Sequence, residues 1–149
     1  VCAAHGAAAG LGFSFAIASD VRIVAEDARF SAAYINIGLG GADMASSYFL
    51  PRLIGAGRAS EFLLTGNWMS AAEAGALGFA SRVVPRERLL PTALEIAQIM
   101  ASKNPLGLRM TKEALSVSLD AGGLEACLEM EDRNQTLLML AKRREGGTP

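Results

Sequence analysis

The sequence predicts an α/β fold in which short strands and short helices alternate over residues 1–102, and helices alone follow over 103–149. Three observations carry this. Apolar residues make up 51% of the 149 and charged ones 19%, an excess that supports a buried core and argues against disorder. Alternating apolar runs are punctuated by Gly and Pro at short intervals, which is the pattern of strands and helices joined by tight turns. Near Ser102-Lys103-Asn104-Pro105 the composition then shifts from mixed elements to helical periodicity.

In chain order, Val1 to Ala4 reads as the end of a buried strand. His5 to Gly12 holds three glycines, which permit tight turning or close backbone approach. Phe13 to Ser19 reads as a short helix, Val21 to Ala25 as a strand that alternates, Glu26-Asp27 as a turn and Ala28 to Ala32 as a further strand. Ile37 to Gly41 is a glycine-rich connection. Ala45 to Leu53 reads as helical despite Pro51, Gly55 and Gly57 are breaks, and Arg58 to Leu64 is the next helix. Ser70-Ala71-Ala72-Glu73 has capping-box spacing, so a helix starts there and runs to about Leu77. Phe79 to Val84 reads as a strand ended by Pro85. Amphipathic helices follow at Leu89 to Ala101, Leu106 to Leu119 and Leu124 to about Arg143.

Charge and composition exclude several functions. Fourteen Lys and Arg against fifteen Asp and Glu leave a net charge of -1, so no general positive field draws in nucleic acid or an anionic membrane. No apolar stretch is long enough to predict a membrane span, and no basic segment precedes an apolar run at the start. A soluble, cytoplasmic protein is expected. Cys2, Cys127 and the single histidine, His5, form no zinc-site spacing.

Two familiar motifs fail on inspection. Gly6, Gly10 and Gly12 are not spaced as GxGxxG, and Asp20 follows too soon to hold a ribose, so a dinucleotide site is rejected. Gly12-Phe13-Ser14-Phe15-Ala16 approaches a nucleophile elbow but ends in alanine, with His5 upstream. Ser14 then reads as a residue facing the interior of a short helix. What stays open is a backbone function. A glycine turn that opens a helix presents unpaired N–H groups and the positive end of the helix dipole, which favours an oxyanion.

The order of segments is more specific than any single motif. Ala9-Gly10-Leu11-Gly12, a short apolar helix, Ser19-Asp20, Val21-Arg22-Ile23 and Ala28-Arg29-Phe30 come in turn. Ile37-Gly38-Leu39, Leu50-Pro51-Arg52-Leu53-Ile54-Gly55, Leu64-Thr65-Gly66, Ala71-Ala72-Glu73-Ala74 and Leu77 to Pro85 follow. Together they resemble the enoyl-CoA hydratase/isomerase, or crotonase, family, and specifically its C-terminal half. The resemblance covers almost the whole chain. It implies a spiral of strand-strand-helix turns followed by C-terminal helices that pack on neighbouring subunits, in homotrimers or homohexamers. It further implies truncation at both ends, with the tail Gly147-Thr148-Pro149 departing from the family pattern.

Carried over residue by residue, the resemblance implies that the backbone N–H of Leu11 is an oxyanion donor for a thioester enolate. Gly10, Gly12, Ser14 and Tyr34 border the substrate pocket. Ser14 and Tyr34 stand where the hydratases of the family carry two glutamates, so water addition by a carboxylate pair is not available. Asp43 stands at the distance before Leu50-Pro51-Arg52 where isomerase and aryl-CoA dehalogenase branches carry their working acid. The resemblance therefore implies an acyl-CoA substrate and double-bond isomerisation, or an atypical hydration, through Asp43. Taken as residues alone, Asp43 reads first as a cap for a helix from Met44. A non-catalytic CoA-binding scaffold is the competing class. No separate cofactor is expected, since CoA is part of the substrate, and no metal. Lys142, Arg143 and Arg144 suit either CoA phosphates or a solvated helix end, and Asp20 and Arg22 read as fold-stabilising polar groups.

Overall fold

A computed structural model describes residues 1–144, so the tail segment Gly147-Thr148-Pro149 lies outside the described residues. Val1–Ala97 forms one compact unit and a second begins at Gln98.

The first unit carries two three-stranded sheets. Strands β1 (Cys2–Ala4), β3 (Arg22–Ala25) and β6 (Arg82–Val84) form one, all parallel, with Ala3 opposite Ile23 and Val24 opposite Val83. Strands β2 (Ala7–Ala9), β4 (Arg29–Ser31) and β5 (Met69–Ser70) form the other; β2 runs parallel to β4, and β5 antiparallel to it. The first two pairs, β1 with β2 and β3 with β4, thus each put one strand in either sheet before a helix follows. These are successive turns of a spiral. The helices are α1 (Leu11–Ile17), α2 (Ser46–Ile54), α3 (Ala56–Thr65) and α4 (Ala71–Ala76). Helix α5 (Leu89–Ala101) crosses the boundary between the units.

The core is aromatic. Phe13 of α1 lies 5.1 Å from Phe62 and 6.0 Å from Phe79, and Phe30 of β4 lies 5.0 Å from Phe79, edge on. Such offset and edge contacts add stabilisation beyond area burial. Arg22 is buried among them. Its guanidinium donates to the carbonyl of Phe79 at 2.5 Å and of Ala16 at 3.4 Å, also reaches that of Ser19, and stacks 5.2 Å from the Phe79 ring. One cation therefore gathers carbonyls at the end of α1 and just beyond it, and burial pushes its pKa down. The expected stabilising role of Arg22 is what the fold shows.

Several elements differ from the expectation. Ala7–Ala9 is a strand rather than part of a glycine turn, because three alanines carry no alternation and no β-branched side chain to reveal it. Helix α1 starts at Leu11, two residues early, since Gly12 sits within the helix, where an added methyl would meet Ala8 only at 3.9 Å. A 3₁₀ turn occupies Ala33–Ile37, where none was expected. Helix α2 begins at Ser46 with Ala45 as its first flanking residue and no side-chain cap. Asp43 is therefore not the cap of a helix from Met44.

In the second unit, α6 (Pro105–Ser118) opens on Asn104, whose side chain accepts from the Gly107 amide, and packs against α7 (Leu124–Arg144). Neither helix has a buried residue. Leu115 and Leu124 are 66% and 74% exposed. Among the described residues no helix is long and apolar enough to cross a membrane.

Candidate active site

The start of α1 is built on Gly10. Its φ of 53° is disfavoured for other residues, and its amide donates to the Ser31 carbonyl at 3.1 Å, anchoring the turn to β4. The first helical hydrogen bond runs from the Ser14 amide to the Gly10 carbonyl at 3.0 Å. The amides of Leu11, Gly12 and Phe13 therefore precede the helical ladder and have no intrahelical carbonyl to meet. Leu11 is half-exposed, and Phe15 one turn on is 64% exposed.

Tyr34 joins this turn to the rest of the site. The 3₁₀ turn sets its ring against Gly10, where a methyl would touch Cε1 at 3.5 Å. Its hydroxyl lies 3.3 Å from Ser14 Oγ, and Ser14 Oγ donates to the Gly10 carbonyl at 3.2 Å. Ser14 is 2% exposed, so it is an interior polar residue with its bonds made.

Tyr34 and Asp43 line one recess of about 260 Å³ together with Leu39, Gly40 and Ala42. Asp43 is exposed. Its Oδ1 accepts from the adjacent Met44 amide at 2.9 Å, and among the described residues nothing else donates to the carboxylate. The loop holding it is fixed from both sides. Asp43 N donates to Oγ of buried Ser46 at 3.0 Å, and Ser46 N returns a bond to the Asp43 carbonyl at 3.0 Å. Upstream, Gly41 is pressed so closely on α3 that a methyl there would lie 1.9 Å from the Leu63 carbonyl oxygen. Downstream, Met44 and Ala45 both adopt left-handed conformations, at φ 47° and 63°. Such backbone costs roughly 1–2 kcal/mol per residue and clusters at functional sites.

Of the sequence-derived residues, the structure thus brings Gly10, Ser14 and Tyr34 into one bonded group and sets Tyr34 beside Asp43 in one recess. Gly12 lies within α1 and is not among the residues lining that recess. His5 is exposed and away from these contacts. Ser46 and Gly41 were missed; the serine three residues after Asp43 was a legible signal for a locally bonded loop, whereas the Gly41 contact is long-range. Among the described residues no cluster of His, Cys, Asp or Glu is placed to hold a metal ion.

The enoyl-CoA hydratase/isomerase sequence profile matches residues 1–148, and the chain belongs to that family. A probable enoyl-CoA hydratase of Mycobacterium tuberculosis is 42% identical over 140 residues, which are 94% of this chain and 49% of the relative. The solved structure of a probable enoyl-CoA hydratase/isomerase from Mycobacterium abscessus is similar at TM-score 0.89 and 38% identity, over 97% of this chain and 58% of its own. A monofunctional enoyl-CoA isomerase from M. smegmatis is similar at TM-score 0.75 and 46% identity, over 83% and 57%. The fold is the crotonase fold, and the chain spans about half the length of the curated relatives it matches.

Proposed function

We propose that the protein isomerises the double bond of an enoyl-CoA thioester, with Asp43 as the single proton carrier and the Leu11 N–H as an oxyanion donor. The observation that carries this is the recess shared by Asp43 and Tyr34. Asp43 lines it from a loop bonded to Ser46, and the resemblance implies that a serine and a tyrosine stand where the hydratases carry two glutamates. Asp43 removes the α proton of a 3-enoyl thioester, the electron pair moves into a dienolate, and the same carboxyl group returns the proton at the γ carbon. Charge that builds on the thioester oxygen is met by the Leu11 amide; one such donor is worth roughly 3–4 kcal/mol in measured cases. The isomerase likeness supports this reading. The hydratase name of the M. tuberculosis relative supports the second one, addition of a water that Asp43 activates.

The resemblance implies another oxyanion donor outside the matched half. The 149 residues alone are therefore expected not to turn over substrate, and no cofactor beyond the substrate's own CoA is required. The exposed apolar residues of α6 and α7 support assembly into homotrimers or homohexamers, and a cytoplasmic location fits such an enzyme.

The test uses the protein as its gene encodes it, with trans-3-hexenoyl-CoA in D₂O. Conversion to the 2-enoyl thioester, slowed about 100- to 10,000-fold in Asp43→Asn with CoA binding retained, is the expected result. Net water addition identifies the hydratase instead. Thermal stabilisation by acyl-CoA or CoA without turnover leaves the CoA-binding scaffold, and stability unmoved by either at millimolar concentration sinks both readings.

A further inference from the structure

We infer that Tyr34 and Ser14 form a hydrogen-bond relay that polarises and orients the Gly10–Leu11 peptide, making them positioning residues for the oxyanion donor. The inference rests on the reading above, in which Leu11 N–H meets the thioester oxygen. Gly10 O can only accept, and it takes both the Ser14 amide at 3.0 Å and Ser14 Oγ at 3.2 Å. The serine has one hydroxyl proton, which is committed to Gly10. The 3.3 Å contact between the two hydroxyls is therefore Tyr34 donating to Ser14.

The direction matters because the Gly10 carbonyl and the Leu11 N–H are two ends of one amide. A carbonyl that accepts hydrogen bonds draws electron density from its nitrogen, and chains of such bonds strengthen one another. Tyr34 to Ser14 to Gly10 is such a chain, and its last bond pulls on the peptide whose other end carries the proposed donor. The relay is sheltered as well, since Ser14 is 2% exposed and the Tyr34 ring packs on Gly10. It also gives the two residues standing in place of glutamates a shared task. A serine that bonds back to the carbonyl four residues earlier is common in helices and merely bends them. The tyrosine feeding that serine is what extends the bond into a chain.

The magnitude is bounded. If one oxyanion donor contributes a factor of about 10²–10³ and each relayed bond strengthens it by 10–30%, loss of the relay lowers kcat by about two- to eightfold. Tyr34→Phe, Ser14→Ala and the double variant are compared in the protein as its gene encodes it. Turnover is read on trans-3-hexenoyl-CoA, and carbonyl polarisation on bound cinnamoyl-CoA, whose conjugated thioester absorbs further to the red when its oxygen is hydrogen-bonded. The expected result is a kcat loss in that range for each single variant with KM within twofold, a smaller red shift, and a double variant no worse than the weaker single. A merely structural role leaves the cinnamoyl band where it was. Variants that match an active wild type in both readouts, or losses that multiply in the double variant, overturn the relay alone. A wild type that neither turns over the substrate nor shifts the band overturns the proposed function together with it.

Discussion

Two helices of the first unit begin beside a carboxylate three residues from a serine, and they use the pair in opposite ways. At α4, Glu73 Oε2 accepts the Ser70 amide at 2.8 Å and its hydroxyl at 2.6 Å, while Ser70 Oγ takes the Glu73 amide at 3.3 Å. Hydrogen bonds from Ser70 hold the Glu73 pKa below its ordinary value, and the carboxylate is consumed in closing its own helix. At α2 the order is reversed. Ser46 takes the backbone amide of Asp43, no side chain caps the helix, and Asp43, its Oδ1 taking only the Met44 amide among the described residues, lines a recess from a loop that runs through two left-handed residues. A start that satisfies itself is architecture. A start whose acid takes only the neighbouring Met44 amide and whose backbone is strained needs another reason to persist, and the proposed catalysis would supply one.

The largest effect that would sharpen this contrast is on turnover. Asp43→Asn should lower kcat by about 100- to 10,000-fold, the usual span for general acid–base catalysis, with KM little changed. Glu73→Gln should leave kcat as it was. Equal losses from the two would erase the distinction between the carboxylates.

Next in size is the clamp behind the Asp43 loop. Gly41→Ala places a methyl 1.9 Å from the Leu63 carbonyl oxygen. Backbone cannot give way as a side-chain tip does, so a loss of about 3 kcal/mol or more is expected in denaturant unfolding. Gly57→Ala is the matched control. Nothing lies within 4 Å of that position, and alanine within α3 should be neutral or stabilising by up to about 1 kcal/mol. If Gly41→Ala behaves like the control, α3 does not hold the Asp43 loop.

The same contrast explains what the sequence made legible. Ser70-x-x-Glu73 announces α4 because every partner lies within four residues, and the apolar periodicity of α5, α6 and α7 is local in the same way. The segment order was enough to place the crotonase spiral. The alanines of β2 and the two residues of β5 carry no strand signal of their own; pairing with β4 makes them strands. Tyr34 was named by its alignment with the family pattern, but its bond to Ser14 spans twenty residues and could not be read from spacing. Gly41 against Leu63 is likewise a contact between elements. The helix-cap reading of Asp43 failed because two residues without any turn preference, Met44 and Ala45, take left-handed backbone.

A smaller effect is expected from the capping box. Ser70→Ala removes the serine oxygen from both the Glu73 amide and its carboxylate, and should cost about 1 kcal/mol near neutral pH. The acid dependence has a definite sign. A carboxylate with a lowered folded pKa contributes stability above its unfolded value, near 4.5, and loses it as pH falls through the lowered one. The gap between wild type and Ser70→Ala should therefore narrow on the acid side of pH 4.5. A gap that widens there would mean that Glu73 is not held by Ser70.

The smallest change tests the strained start directly. Ala45 has φ 63° and ψ 19°, where a Cβ crowds its own carbonyl and glycine does not. Ala45→Gly relieves that crowding but adds freedom to the unfolded chain, which takes back part of the gain. The net expectation is a stabilisation of about 0.5–1 kcal/mol, or a rise in Tm of a few degrees at most. Glycine in an ordinary helix start would gain nothing. The measurement that matters is the pairing of the two outcomes: Tm should rise while kcat on the enoyl-CoA falls, because the loop that aims Asp43 has lost a constraint. A variant that is both less stable and equally active would show that Ala45 is not left-handed in solution, and that α2 starts no differently from α4.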